Sequence, residues 1–203
     1  MNFSSGSLIS FLMAVSFAAG LNVYATMATL GALASFHWIA LPHGLELLAS
    51  PWILAVSGVL FTCEFFADKI PFVDLIWNFA HTFIRIPLAG LLAYRAADGL
   101  SPTMQMLAAA LGAVVAGVAH SSKTAARTLV TASPEPLSNI ALSASEDVAA
   151  VGLTWLATKH PVGAAVVAGV ALVAAIGFAR WSVRAIRRQW ARVRIRLDGA
   201  LEG

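Results

Sequence analysis

The chain has 203 residues, of which 59% are hydrophobic and 11% charged, against about 45–50% and about 25% in soluble domains. Together with a mean hydropathy of +0.80, this excludes a soluble globular enzyme, a disordered chain and a nucleic-acid module, and points to an integral membrane protein. The formal net charge of +3 is uneven: residues 180–203 hold seven Arg against Asp198 and Glu202, whereas residues 1–179 hold six Lys/Arg against eight Asp/Glu.

The first predicted helix runs from about Leu8 to Ser35. It has no basic segment ahead of it and continues past the small residues around Ala18, so it reads as a retained helix and not as a signal peptide. Gly20-Leu21-Asn22 can bend it. Residues 36–50, with Trp38 and Pro42, suit an interfacial loop. The second helix opens at Ser50-Pro51, where proline is tolerated in the first turn, and runs to about Lys69 before Ile70-Pro71 ends it. The lone Cys63 excludes an intrachain disulfide and reads as a small core residue.

The third helix spans roughly Val73 to Ala97, with Pro87 inside, where a proline removes a backbone hydrogen bond and kinks the helix. Asp98-Gly99-Leu100-Ser101-Pro102 is a turn. The fourth helix runs from about Thr103 to Val130, and Ser133-Pro134-Glu135-Pro136 breaks the chain. The fifth runs from about Leu137 to Ala157. The sixth starts after His160-Pro161 and enters the Arg-rich tail.

A span needs about 20 apolar residues, so about six spans use up the chain. The expected fold is all-α: a polytopic transmembrane helical bundle over residues 1–180, followed by a basic tail over 181–203. Residues 133–147 either cross or re-enter. In the tail, Val183, Ile186, Trp190, Val193 and Leu197 recur at three- and four-residue steps. Arg184, Arg187, Arg188, Arg192, Arg194 and Arg196 fill other positions. This is the pattern of an amphipathic helix on anionic lipid headgroups, not of nucleic-acid binding. With the tail inside and six alternating spans, Lys69, Lys123, Arg127 and the seven tail Arg fall on the cytoplasmic side, against Arg95 and Lys159 outside. That bias follows the positive-inside rule and places both termini in the cytoplasm.

Charge inside hydrocarbon is costly and tends to face a bundle interior or a water-filled cavity. The polar residues here align at helical spacing. Asp74, Asn78, His81 and Arg85 share one face of the third helix. Ser57, Glu64 and Asp68, with Lys69 beside them, share one of the second. His120, Thr124, Arg127 and Thr131, with Lys123 adjacent, share one of the fourth. Asn139, Ser143 and Glu146, with Asp147 adjacent, share one of the fifth, and Asn22, Thr26 and Thr29 one of the first. Glu64 with Lys69 and Asp74 with Arg85 are candidates for internal charge balance. Five aligned faces predict a shared polar path or pocket; the sixth helix has none and is expected against lipid or a second subunit. No HExxH, paired CxxC or GxSxG occurs, so no catalytic residue, metal or cofactor is expected.

Three stretches carry a family resemblance: GLNVYAT at 20–26, the segment 49–90 with its EFFADK and HTFIR motifs, and the segment 120–148 with SPEP followed by SN and ED. Together they resemble the small integral membrane proteins known only as domain-of-unknown-function family 4126, over roughly residues 18–157. The resemblance implies a multi-span bacterial membrane protein, hence the inner membrane, and no reaction. It draws attention to Glu64, Asp68, Lys69, His81, Arg85, His120, Lys123, Arg127, Glu135, Asn139, Glu146 and Asp147, residues that the helical faces also select with the exception of Glu135.

The expected function is a small transporter or channel for an unidentified solute or ion. Its path would comprise Asn22, Glu64, Asp68, Lys69, Asp74, Asn78, His81, Arg85, His120, Lys123, Arg127, Glu135, Asn139, Ser143, Glu146 and Asp147. The alternatives are a membrane scaffold or assembly factor and a lipid-handling protein. Membrane lipids are the expected partners, and a homo-oligomer, with a dimer favoured, is expected through small residues such as Gly112, Ala116 and Gly163. Glu64 and Glu146 lie farther from helix ends than most charges and are the candidate proton-exchanging groups.

Overall fold

The computed structural model describes residues 4–131 and 136–201. Glu135 lies outside these residues, as do the side chains of Asn139, Arg188, Arg192, Arg194 and Arg196. The described chain is helical: α1 Ser5–Leu21, α2 Val23–Ser35, a 3-10 segment His43–Ala49, α3 Pro51–Ala67, α4 Pro71–Ala96, α5 Pro102–Thr131, α6 Pro136–Lys159 and α7 Pro161–Leu201. Each of α3 to α7 begins on a proline, whose fixed φ and missing N–H suit the first turn. Ser50 caps α3, its Oγ accepting from the Ile53 N–H at 3.3 Å.

The first predicted helix is two helices. Asn22 ends α1 with extended backbone (φ −152°, ψ 103°) and caps α2, its side chain accepting from the Ala25 N–H at 2.9 Å. An amide that satisfies a helix-start N–H makes the break self-sufficient. α1 lies at the centre of the bundle, packed against α4, α5, α6 and α7. Phe11, Ala14, Ala18 and Ala19 are completely buried, as expected of a helix apolar all round. α2 continues against α3, the 3-10 segment and α6.

Small residues set the helix separation. A Cβ added at Gly20 would meet the Ala116 carbonyl oxygen at 2.5 Å and the Ala119 Cβ at 2.7 Å, so α1 and α5 touch backbone to backbone. One added at Gly112 would meet the Ala93 Cβ at 2.6 Å and the Ser16 Oγ at 2.9 Å. Gly112 and Ala116, expected at an interface between copies, are therefore spent on contacts within the chain, while Gly163 is exposed. Cys63, expected in the core, is also exposed.

The distribution of side chains is inverted relative to a soluble protein. Phe79, Phe83, Leu111, Val114, Val166, Val170 and Val173 are each more than half exposed, while Glu64, Asp68 and Arg85 are fully buried. Large exposed apolar surface around a charged interior fits lipid and not water as the surrounding solvent. Three helical segments are long and apolar enough to cross a bilayer: Pro102–Arg127, Ile140–Lys159 and Pro161–Arg184. The 3-10 segment and α3, bent by 70°, make a fourth if they form one span. α7 runs without a break from Pro161 into the Arg-rich region, to Leu201, and Arg184 and Arg187 are exposed on it.

Candidate functional site

The site forms where α3, α4, α5 and α6 face the break between α1 and α2. The polar face of α4 turns inward because Phe79 and Phe83 occupy the outward side. Asp74, Asn78, His81 and Arg85 therefore enter the interior from successive turns, each at most 5% exposed. α3 contributes Glu64 and Asp68, α5 contributes His120, Lys123 and Arg127, and α6 contributes Ser143, Glu146 and Asp147, all at most 8% exposed.

Arg127 is the hub. It donates to Glu146 Oε2 from Nη2 at 2.5 Å and from Nε at 3.2 Å, to Asp68 Oδ2 from Nη2 at 2.8 Å, to the Asp68 carbonyl from Nη1 at 3.2 Å, and to Asp74 Oδ1 from Nη1. One guanidinium thus joins three carboxylates from three helices through the planar fork of its five N–H donors. Lys123 supplies the second junction: its Nζ lies 3.0 Å from Asp68 Oδ2, 3.4 Å from Glu146 Oε2 and 3.5 Å from Glu64 Oε1. It also donates to the Leu21 carbonyl at 3.1 Å. That carbonyl belongs to the last turn of α1, where the helix dipole favours a cation.

Arg85 pairs with Glu64 Oε1 and donates to His120 Nδ1 at 3.1 Å. A guanidinium only donates, so Nδ1 is bare and His120 is the neutral Nε2–H tautomer. That N–H faces Thr82 Oγ1 at 2.8 Å, and the Thr82 hydroxyl donates to the Asn78 carbonyl at 3.0 Å. His81 adopts the opposite tautomer: Nδ1 donates to the Trp77 carbonyl at 2.8 Å, leaving Nε2 to accept from the Tyr24 hydroxyl at 3.2 Å. Asn78 in turn donates to Asp74 Oδ1 at 2.5 Å.

Asp147 stands apart from this network. Its Oδ1 accepts from Asn22 Nδ2 at 2.9 Å, and its Oδ2 has no hydrogen-bond partner. Among the described residues no cationic nitrogen lies within ion-pair distance of it, although every other buried carboxylate has at least one. Ser143, one turn earlier on α6, is fully buried and its Oγ is also without a partner.

The expected pairs are rearranged. Glu64 pairs with Arg85 and not with Lys69, and Asp74 pairs with Arg127 and not with Arg85. Lys69 leaves the cluster: its Nζ donates to the Phe65 carbonyl at 2.8 Å and lies 3.0 Å from the centre of the Phe65 ring. Thr26 is buried beside Thr154 of α6, their hydroxyls 3.5 Å apart. Tyr24, Thr82 and the Leu21 carbonyl were not among the sequence-based candidates. Thr82 lies within HTFIR, and Leu21 and Tyr24 lie within GLNVYAT, which are the signals pointing to them. Among the described residues no group of three or more His, Cys, Asp or Glu is placed to hold a metal ion.

The fold and its interior define a multi-pass, all-helical membrane protein organised around a buried charge network. The chain belongs to the family described as a domain of unknown function (DUF4126), whose model matches residues 9–181. No curated protein and no solved structure matches it.

Proposed function

We propose that the protein is a proton-coupled carrier of a small solute or ion, with six membrane crossings. In this reading α1 and α2 form one broken crossing, the 3-10 segment and α3 one bent crossing, and α4 to α7 one each. The membrane is the bacterial inner membrane, with both termini cytoplasmic. Lys123 and Arg127 are buried and drop out of the charge count, leaving Lys69 and the seven tail Arg to orient the protein.

The observation that carries the reading is the charge imbalance of the interior. Among the described residues, five carboxylates (Glu64, Asp68, Asp74, Glu146 and Asp147) are buried with three cations (Arg85, Lys123 and Arg127). Burying an uncompensated charge costs several kcal/mol, so a purely structural network gains by being neutral. Asp147 is the carboxyl that can exchange a proton without breaking an ion pair. Glu64 and Glu146, the candidates from sequence, are instead counter-charges fixed by Arg85 and Arg127. A break in a helix beside a polar site is a recurring feature of carriers, with the helix N-terminus directed at an anionic group; α2 presents its N-terminal end and Asn22 to Asp147. Burial of the whole cluster suits a carrier that exposes its site alternately better than an open pore.

The same closure supports a membrane scaffold as the second reading. Purified protein in liposomes containing a pH-sensitive dye separates the two. Gradients of a panel of small cations, anions and neutral solutes are expected to drive proton movement through wild type and not through Asp147→Asn. Wild-type protein inert to every gradient leaves the scaffold.

A further inference from the structure

A second feature lies on the outside of the bundle and is independent of the carrier reading. A cavity of about 310 Å³ opens between α5 and α7, lined by Val114, Gly117, Val118 and Ser121 on one side and Ile176, Ala179 and Arg180 on the other. Its walls are almost entirely apolar, and Arg180 is the charged residue in its lining.

We infer that this groove is a binding site for an anionic glycerophospholipid, with an acyl chain between Val114, Val118 and Ile176 and the phosphate at Arg180. The charge pattern along α7 supports that occupant. Arg180, Arg184 and Arg187 are spaced +4 and +3 and so share one helical face; all three are exposed. At about 1.5 Å per residue they extend basic charge over roughly 10 Å beyond the groove. Charge therefore rises in one direction, from Ile176 in the apolar part to the Arg ladder, as hydrocarbon gives way to headgroup in a leaflet. Trp181, 58% exposed, adjoins Arg180 and suits the headgroup level where tryptophan accumulates. Basic pockets between membrane helices select anionic headgroups. Ser121 adds a hydroxyl that can donate to a phosphate oxygen.

The test is native mass spectrometry of the purified, delipidated full-length chain titrated separately with phosphatidylglycerol, phosphatidylcholine and inorganic phosphate. Wild type is expected to retain phosphatidylglycerol in preference to phosphatidylcholine, and inorganic phosphate is expected not to displace it. Arg180→Gln should cut that preference roughly fivefold, the contribution of one basic side chain at an anionic surface. Ala179→Phe, which fills the groove, should weaken retention of both lipids. A circular dichroism melt of each variant checks that the fold is kept. Unchanged phosphatidylglycerol retention in a folded Arg180→Gln or Ala179→Phe protein overturns the assignment. Displacement of lipid by millimolar phosphate shows an anion site without a lipid groove and overturns it as well. A lipid-free dimer lost in Ala179→Phe assigns the groove to a second copy instead.

Discussion

Arg127 of α5 holds a single oxygen of Glu146, Oε2, with two of its nitrogens, at 2.5 and 3.2 Å. Its remaining valences go to Asp68 and Asp74. Removal of this one side chain leaves Asp74 without an ion pair and leaves Asp68 and Glu146 with Lys123 alone. Arg127→Gln is expected to destabilise the protein by at least about 3–5 kcal/mol, the cost of breaking a single buried pair. Thermal unfolding in detergent measures it. Arg127→Lys should recover only part of the loss, because an ammonium has three donors and the guanidinium makes five contacts.

Glu64 and Arg85 are both fully buried and paired. Glu64→Met leaves Arg85 buried without its partner and should cost about 3–5 kcal/mol; Arg85→Met should cost less, since Glu64 keeps Lys123 at 3.5 Å. The double variant should regain much of that, since an apolar pair of similar volume replaces the ions. A double-mutant cycle on chemical unfolding checks it: additive effects would mean that the two residues are not coupled.

Asp147→Asn is expected to behave in the opposite way. The amide oxygen can still accept from Asn22 Nδ2, and a buried carboxylate with no ion pair is removed. Stability should be kept or raised, while proton-coupled flux in liposomes is lost. A variant that is as stable as wild type and transports at the wild-type rate would remove Asp147 from the mechanism.

Gly20→Ala tests the packing of α1 on α5. The added Cβ would face the Ala116 backbone, within 2.5 Å of its carbonyl oxygen, and backbone cannot rotate away as a side chain can. A loss of about 1–3 kcal/mol is expected from overpacking, read from the melting temperature. Gly58→Ala, where nothing lies within 4 Å, is the control and should keep or raise it, since alanine is the better helix former.

Much of the interior could be read from periodicity. Asp74, Asn78, His81 and Arg85 repeat at +4, +3 and +4, so one buried face of α4 follows whatever the neighbours are. The partners did not follow, because they depend on how the helices are turned toward each other. Lys69 is five residues after Glu64, about 140° around a helix of 3.6 residues per turn, and so lies outside the face that holds Glu64 and Asp68. Its nearest acceptor is the Phe65 carbonyl behind it. Likewise, a small-residue pattern shows that backbones approach closely without saying which ones. Gly112 and Ala116 meet α4 and α1 of the same chain. The break at Asn22 was visible only as a possible bend: the sequence offers a capping amide after a glycine, but its second hydrogen-bond partner, Asp147, lies 125 residues away.

The central position of α1 has a consequence for synthesis. Its neighbours include α6 and α7, the last helices to be made, and the Asn22–Asp147 hydrogen bond spans 125 residues. At about 5–20 residues per second, the ribosome delivers Asp147 roughly 6–25 s after Asn22. Through that interval α1 has α4 and α5 to pack on as they emerge, its faces toward α6 and α7 are uncovered, and Lys123 and Arg127 enter the membrane ahead of their Glu146 counter-charge. A ribosome stalled before α6 therefore holds a chain whose Lys123 and Arg127 have Glu64, Asp68 and Asp74 for partners but not Glu146, with the hub incomplete.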